Sequence, residues 1–221
     1  KTALGPAGSG RWTGQRVDVD LSFGTLSSKQ EENVLAGANL CAIESDGGGF
    51  ELAQFQNADL QPDGSWRLSG FLRGQAGSEA EALAGASVGA LFVLLTRAVT
   101  QAAFSADLRS LSFDWQAGPE KDIPDTDNYT SSSLSFSARG LKPLSPVHLR
   151  AAREGSDVRL SWIRRTRASG DSWEGEVPLS EQWERYVLTI YDGAEVVRDV
   201  ETITSDYLYE SADILADFGP S

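Results

Sequence analysis

The residues Leu141 to Tyr191, LKPLSPVHLRAAREGSDVRLSWIRRTRASGDSWEGEVPLSEQWERYVLTIY, carry the clearest strand pattern in this chain. Pro143 and Pro146 cannot donate a sheet hydrogen bond, so they mark the approach to an edge strand. Apolar and polar residues then alternate at positions 147–150 and again at 158–162, which is the period of a half-buried strand. The stretch therefore predicts an antiparallel β domain.

The strand pattern continues beyond this stretch. Residues 185–191 are apolar on both faces, which predicts a strand covered on both sides. Asp192-Gly193 is a hairpin signal, and residues 206–209 are a further strand candidate. Short strands at this spacing resemble a fibronectin type III-like β-sandwich. Such a sandwich needs about seven strands, so we expect residues 141–221 to form one that is truncated at its C-terminal end.

The first part of the chain is also predicted to be mainly β. Residues 1–14 are rich in Gly, Ala and Ser and are expected to be a linker, followed by one domain over 15–140. This domain is predicted to be an antiparallel barrel or sandwich with one or two short helices. Ser28 with Glu31 fits a capping box for the first helix. Strands are expected at 15–23, 39–44, 50–55, 65–72, 90–95 and 111–115, with a partner for the last around 134–136.

A glycine-rich turn, Leu72-Arg-Gly-Gln-Ala-Gly-Ser-Glu79, follows one of these strands. Read alone, it predicts a strand end, a tight turn and a short helix capped by Ser78, with Glu81 at the third position. We take four of its residues as structural or assembly candidates: Arg73, Gly74, Gln75 and Gly77.

Several stretches resemble one known family. LRGQAGSE resembles the LLRGQRGTE signature of the large baseplate hub proteins of gene transfer agents and of related alphaproteobacterial phage tail proteins, differing at Ala76 and Ser78. LKPLSPVHLRA, LSWIRRTR and the later YDG resemble the C-terminal region of the same proteins. The resemblance covers roughly residues 15–219.

This resemblance implies a structural component of a tail tip or baseplate hub, with no enzymatic activity and no cofactor. Implied partners are other tail and baseplate proteins, a homotrimeric arrangement around the tail axis, and contact with host surface polysaccharide. The implied location is a virion or phage-like particle assembled in the bacterial cytoplasm.

Composition limits the other possibilities. The net charge is −13 and both halves of the chain are acidic, which disfavours binding to nucleic acid through its backbone. No apolar run approaches the ~20 residues of a membrane span, and no signal peptide is evident. The chain begins at Lys1 and has no methionine, which leads us to expect a piece of a longer protein.

Candidates for chemistry are few. With one histidine, His148, and one cysteine, Cys41, neither a common zinc site nor a Ser-His-Asp triad is predicted. Asp122, Asp125 and Asp127 could bind calcium, but their spacing does not match an EF-hand and a solvated loop is favoured. The carboxylates that could form a glycosidase pair are scattered too evenly to nominate one: Glu44, Glu51, Asp59, Glu79 and Glu81. No catalytic or metal residue is predicted.

The dense cationic run Arg164, Arg165 and Arg167 has two interpretations. Pairing with Glu174, Glu176, Glu181 or Glu184, or with an adjoining subunit, is the leading one. Contact with an anionic polysaccharide or a lipid phosphate is the alternative.

The six tryptophans keep a second function open, which is a carbohydrate-binding accessory module of a cell-wall-acting enzyme. Trp66, Trp115 and Trp162 are in phase with apolar strand faces and are expected in cores. The candidates for stacking on a sugar are Trp12, Trp173 and Trp183. A third hypothesis, a hydrolase in its own right, lacks a nominated acid pair.

Overall fold

The computed structural model describes residues 1–8, 12–100, 102–124, 127–170 and 176–219. The chain divides into two compact units, Lys1–Gly140 and Leu141–Ser221. Strands dominate both units, every strand pairing is antiparallel, and the helices are short. The mainly β, antiparallel fold predicted from the sequence is confirmed.

The first unit is built on one antiparallel sheet. Its elements are β1 (Trp12–Val19), α1 (Glu31–Leu35), β2 (Leu40–Glu44), β3 (Phe50–Leu60), β4 (Trp66–Gln75), α2 (Glu79–Ala84), β5 (Phe92–Leu94), a 3₁₀ turn (Ala106–Leu108), β6 (Ser112–Ala117) and β7 (Thr130–Ser135), with a second 3₁₀ turn at Arg139–Leu141. The sheet order is β1-β4-β3-β2-β5, so β1 and β5 are its two edges and no closed barrel forms within the described residues. The apolar run around β5 therefore lies at an edge of the sheet.

One face of this sheet carries the core. Strand alternation places Cys41, Ile43, Ala53, Phe55 and Phe71 on it, and all five are buried. The rings of Phe55 and Phe71 lie 6.3 Å apart and are tilted by 59°. Val17 and Val19 of β1 are buried as predicted, whereas Phe23 lies beyond the end of the strand and is 90% exposed.

Both short helices form where they were predicted, but neither is capped as expected. α1 begins at Glu31 after Gln30, and Ser28 instead exchanges hydrogen bonds with the backbone of Ala58. The side chain of Ser78, which precedes α2, bonds the backbone of the neighbouring strand. Long-range backbone partners therefore compete successfully with the local cap.

β6 and β7 form a separate hairpin in which Phe113 lies opposite Leu134. The prediction that Trp115 is a core residue was wrong, because its side chain is 38% exposed. Trp115 packs edge-on against Phe104, with ring centroids 5.7 Å apart, in a sheet of only these two strands within the described residues.

The second unit contains two small sheets. Its elements are β8 (Val147–Glu154), β9 (Asp157–Ile163), β10 (Tyr186–Asp192), β11 (Glu195–Thr202), β12 (Asp206–Tyr209) and α3 (Ser211–Phe218). One sheet has the order β12-β9-β8 and the other consists of β10 and β11. The first, second and fifth strands of the unit thus share a sheet, as the A, B and E strands of an immunoglobulin-like sandwich do.

Two details of the second unit differ from the sequence prediction. β10 is not covered on both sides, because Val187 is 66% exposed and Tyr191 is 56% exposed. Leu149 is also exposed, since the register of β8 shifts between Val147 and Arg150, where His148 adopts a φ of 56°. The apolar pattern therefore predicted burial that Leu149, Val187 and Tyr191 do not have within the described residues.

Residues 1–8 belong to the first unit and pack against its sheet. Leu4 is 2% exposed and forms an isolated antiparallel bridge with Ala86. The N-terminal amino group of Lys1 and the backbone amide of Thr2 both donate to the carbonyl of Asp18. This segment therefore connects the β1 edge of the sheet to the loop that precedes β5.

Candidate functional site

The first candidate site surrounds Arg73, at the end of β4. Its side chain is fully buried and forms a bidentate ion pair with Glu51 of β3, with Nε–Oε1 and Nη2–Oε2 distances of 2.5 and 2.7 Å. Nη1 donates to the carbonyl of Gly5 at 3.1 Å and to Oε1 of Gln15 at 2.6 Å. Because a buried charge is tolerated only when it is paired, this network fixes β4 to β3, to β1 and to the N-terminal segment at once.

The glycine turn completes this network. The amide of Gly74 donates to Oε1 of Glu51 at 3.0 Å, and Gly74 has a φ of 60°, a conformation that favours glycine. Ala76 also adopts a positive φ, 52°, and is the exposed tip of the turn. Ser78 then donates to the carbonyl of Gln75 and accepts from the amide of Leu52, which holds the start of α2 against β3.

The four turn residues predicted as candidates are thus brought together, with Arg73 and Gly74 buried and Gln75 and Gly77 partly buried. Arg73 and Gly74 hold β4 to β3, which is a structural role, and a role in assembly stays a prediction. The sequence analysis missed its partner Glu51. The available signal was position, because Glu51 is in phase with the apolar Ala53 and Phe55, and Arg73 is in phase with Phe71.

The arginine cluster is engaged in ion pairs inside the second unit, as the leading interpretation predicted. Arg164 contacts Glu184 at 3.0 Å and donates to the carbonyl of Val177 at 2.6 Å. Arg167 contacts Glu181 at 2.7 Å, and its hydrogen bond lowers the pKa of that carboxyl group. Arg165 is also engaged in a polar or electrostatic interaction. Glu174, another predicted partner, lies outside the described residues.

The tryptophan candidates are placed differently from one another. Trp183 is 72% exposed and Trp12 is 37% exposed, whereas Trp173 lies outside the described residues. Trp162 is 8% exposed, and Trp66 is partly buried against the core of the first unit. Trp183 is therefore the described tryptophan with the most surface available for a ligand.

The second candidate site is an apolar groove of about 430 Å³ in the second unit. Its lining comes from the residues that lead into β8, from the inner face of β8 and β9, and from the start of β10: Pro143, Leu144, Ser145, Pro146, Leu149, Trp162, Arg185, Tyr186, Val187 and Leu188. The ring of Trp162 packs edge-on against that of Tyr186 at 5.2 Å, which links the two sheets. Burial raises the pKa of Tyr186 to about 12, and its hydroxyl donates to Glu184.

The groove belongs to a unit with a thin core. Among its described residues, only Trp162 and Tyr209 are buried hydrophobic side chains, whereas the first unit has seventeen. Polar contacts join β11, β12 and α3. Arg198 of β11 bonds Asp217 of α3, which also accepts from the hydroxyl of Tyr209, and these bonds lower the pKa of Asp217. Apolar packing inside this unit is therefore incomplete.

Other chemistry finds little support in the described part of the chain. His148 is exposed, and no group of three His, Cys, Asp or Glu side chains that could hold a metal ion occurs within the described ranges. Asp122 accepts a hydrogen bond from Asn128, and Asp125 lies outside the described residues. Cys41 is fully buried, and this burial strongly raises its pKa. None of the described helices is long and apolar enough to cross a membrane.

Comparison with known protein families identifies a match in the N-terminal part of the chain. Residues 1–93 match the family model of the C-terminal domain of Rcc01698-like proteins. This range includes the N-terminal segment, the five strands of the first sheet up to Val93, and the whole Arg73–Glu51 network. No curated protein matches the chain.

Proposed function

We propose that this chain is a structural component of a phage-like tail tip or baseplate hub and acts through assembly with other proteins. The observation that carries the proposal is the surface of the second unit. Leu149 and Val187, which are 67 and 66% exposed, line the same groove, and Tyr191 on the strand of Val187 is 56% exposed. Contiguous apolar surface of this kind marks sites where proteins associate.

The first unit supports the same proposal in a different way. Its interior contains an apolar core and the buried, bidentate Arg73–Glu51 ion pair. A well-packed first unit and a second unit with exposed apolar side chains are features expected of a protein that docks against neighbours.

The resemblance of LRGQAGSE and of the later stretches to tail hub proteins supplies the biological setting of the proposal. By that resemblance the chain would lie in the tail tip of a virion or gene transfer agent, assembled in the bacterial cytoplasm. It would form a homotrimer around the tail axis. Contact with host surface polysaccharide would then involve exposed side chains such as Trp183.

Labelling of purified particles tests the proposal. An epitope tag is placed at the exposed tip of the turn between Asp63 and Gly64, or between Asp192 and Gly193, in the gene of the bacterium that makes the particles. Gold-labelled antibody should decorate one end of the tail in electron micrographs. If the tagged protein is expressed and folded but absent from particles purified to constant composition, the proposal fails.

The carbohydrate-binding alternative is favoured by one observation, the 72% exposure of Trp183. Its test is binding of the full chain to bacterial surface polysaccharide and peptidoglycan, compared with the variants Trp183→Ala and, as a control, Phe23→Ala. Saturable binding that is lost in Trp183→Ala alone would favour a carbohydrate-binding module. Equal behaviour of the two variants would count against it.

A further inference from the structure

The chain contains three Asp-Gly pairs, and each can undergo the same spontaneous reaction. They are Asp46-Gly47, Asp63-Gly64 and Asp192-Gly193. The backbone nitrogen of the glycine can attack the side-chain carboxyl carbon of the preceding aspartate, because glycine has no Cβ to obstruct the approach. A C–N bond forms, and the amide proton and the carboxyl hydroxyl group leave as water, which closes a five-membered succinimide ring. Water then reopens the ring at one carbonyl to restore aspartate, or at the other to give isoaspartate.

Two features of the folded structure can slow this reaction. The carboxyl group must turn towards the next amide, and a hydrogen bond to either group must be broken before the ring can close. The carboxyl group must also be protonated, since a carboxylate has no hydroxyl group that can leave as water. All three pairs are exposed, so exposure does not distinguish them. The contacts of each carboxyl group and each amide therefore decide which pair reacts.

Asp46-Gly47 is held at both reacting groups. The amide and the hydroxyl group of Ser87 donate to the carboxylate of Asp46 at 3.0 and 2.8 Å. The amide of Gly47 donates to the hydroxyl group of Ser45 at 3.2 Å. The backbone of Gly47 also lies against α2, because a Cβ placed on this glycine would be only 2.9 Å from the Cβ of Ala84. We therefore expect this pair to react slowly.

Asp63-Gly64 is restrained in the same way. Ser65 donates from its amide and its hydroxyl group to one carboxylate oxygen of Asp63, at 3.0 and 2.6 Å, and Nζ of Lys1 donates to the other at 2.9 Å. The amide of Gly64 donates to the carbonyl of Gln61 at 3.0 Å. The bonds from Ser65 and Lys1 hold the pKa of Asp63 well below its usual range, so the reactive protonated form is rare.

Asp192-Gly193 has neither restraint. It lies at the two-residue turn between β10 and β11, where Asp192 is paired with Glu195 and Gly193 has a φ of 60°. Within the described residues, the carboxylate of Asp192 forms no hydrogen bond or ion pair, and the amide of Gly193 donates to no acceptor. A Cβ placed on Gly193 would find no atom within 4 Å, so the turn also has room to rearrange.

We propose that Asp192-Gly193 is a site of spontaneous modification, at which aspartate converts to isoaspartate while the other two Asp-Gly pairs are protected by their hydrogen bonds. Isoaspartate adds one methylene to the backbone at the turn that sets the register of β10 against β11. The pairing of these strands, which already shifts between Ile190 and Tyr191, should therefore loosen as the protein ages. The inference does not depend on the proposed function.

Prolonged incubation of the full chain in a mildly acidic buffer tests the selectivity. Isoaspartate has the same mass as aspartate, so the digested peptides are separated by chromatography and identified by electron-transfer fragmentation. In the folded protein Asp192 should convert at least about tenfold faster than Asp46 or Asp63, because breaking the hydrogen bonds of the latter two adds a barrier of that size. In urea the three should convert at similar rates, since these restraints are lost.

Two variants locate the reaction and its effect. Asp192→Glu should abolish the modification because the ring would have to be larger, and Asp192→Asn should accelerate it because the ring then closes with loss of ammonia. Hydrogen exchange of the β10 and β11 amides should become faster in aged wild type but not in aged Asp192→Glu. The inference is overturned if Asp46 or Asp63 converts as fast as Asp192 in the folded protein. It is also overturned if folded Asp192 stays unmodified while the chain in urea is converted, or if the aged strands exchange as slowly as fresh ones.

Discussion

Replacing Glu51 by Gln removes the negative charge that faces a guanidinium group inaccessible to water. The side chain of Arg73 is 0% exposed and that of Glu51 is 2% exposed, so neither charge can be solvated in place. Glutamine has nearly the same shape, and it can still accept one hydrogen bond from Arg73 or from the amide of Gly74. The change therefore tests the charge rather than the packing.

The expected cost follows from the number of contacts that lose strength. Glu51 accepts two charge-assisted bonds from Arg73 and one from Gly74, and all three become weaker or are lost. Removing one member of a buried ion pair typically costs about 3–5 kcal/mol, because the remaining charge stays buried without compensation. That is a large fraction of the ~5–15 kcal/mol by which a domain is stable.

The assay is urea unfolding followed by tryptophan fluorescence and by hydrogen exchange. Exchange of the β3 and β4 amides reports on the first unit alone, since both strands belong to it. A cycle with Arg73→Met and the double variant separates the pair energy from the cost of each change. The double variant should be more stable than the sum of the two single changes predicts, because it leaves no unpaired charge. Unfolding free energies of Glu51→Gln and wild type within about 1 kcal/mol would refute the reasoning.

Three further predictions concern packing, reactivity and pH. Phe71→Ala should lower the free energy of unfolding in urea by about 3–5 kcal/mol, because this ring is fully buried. Phe23→Ala should change it by no more than about 0.5 kcal/mol, because Phe23 is 90% exposed. Similar losses for both variants would contradict the assigned core. Cys41 should resist alkylation in the native protein at pH 8 and react in urea, because burial raises its pKa; rapid native labelling would disprove its burial. Asp217→Asn should destabilise the protein more at pH 7 than at pH 3, because Arg198 lowers the pKa of Asp217 in the folded state. The contribution of this carboxylate is complete above the unfolded pKa of about 3.9 and is lost as pH falls towards the folded value. An unfolding free-energy difference that is independent of pH would exclude this linkage.

Sequence reasoning located elements better than it located contacts. Local alternation and turn chemistry predicted three elements that are present: the strand that ends at Glu44, the hairpin at Asp192-Gly193 and the strand at Asp206–Tyr209. The caps at Ser28 and Ser78 failed because each hydroxyl bonds a strand that is distant in sequence. Local sequence patterns cannot show which distant backbone group will take the hydrogen bond that the cap would otherwise form.

The candidate sites show the same division. Charge proximity in the sequence was enough to predict pairing of Arg164 and Arg167 with nearby glutamates, and the ion pairs are observed. The prediction that β10 is covered on both sides was wrong in the described structure, since Val187 is exposed. An apolar side chain indicates a tendency to be buried, but it does not say whether this chain or a partner provides the cover.

By itself the sequence determined the strand periodicity, the turns and the acidic balance of this protein, because these depend on neighbouring residues and on composition. The tertiary structure alone decided that Arg73 meets Glu51 and the backbone of Gly5, and that a groove is left beside β10. These features depend on which distant strands become neighbours, since burial and the pairing of charges are set by what packs against a residue.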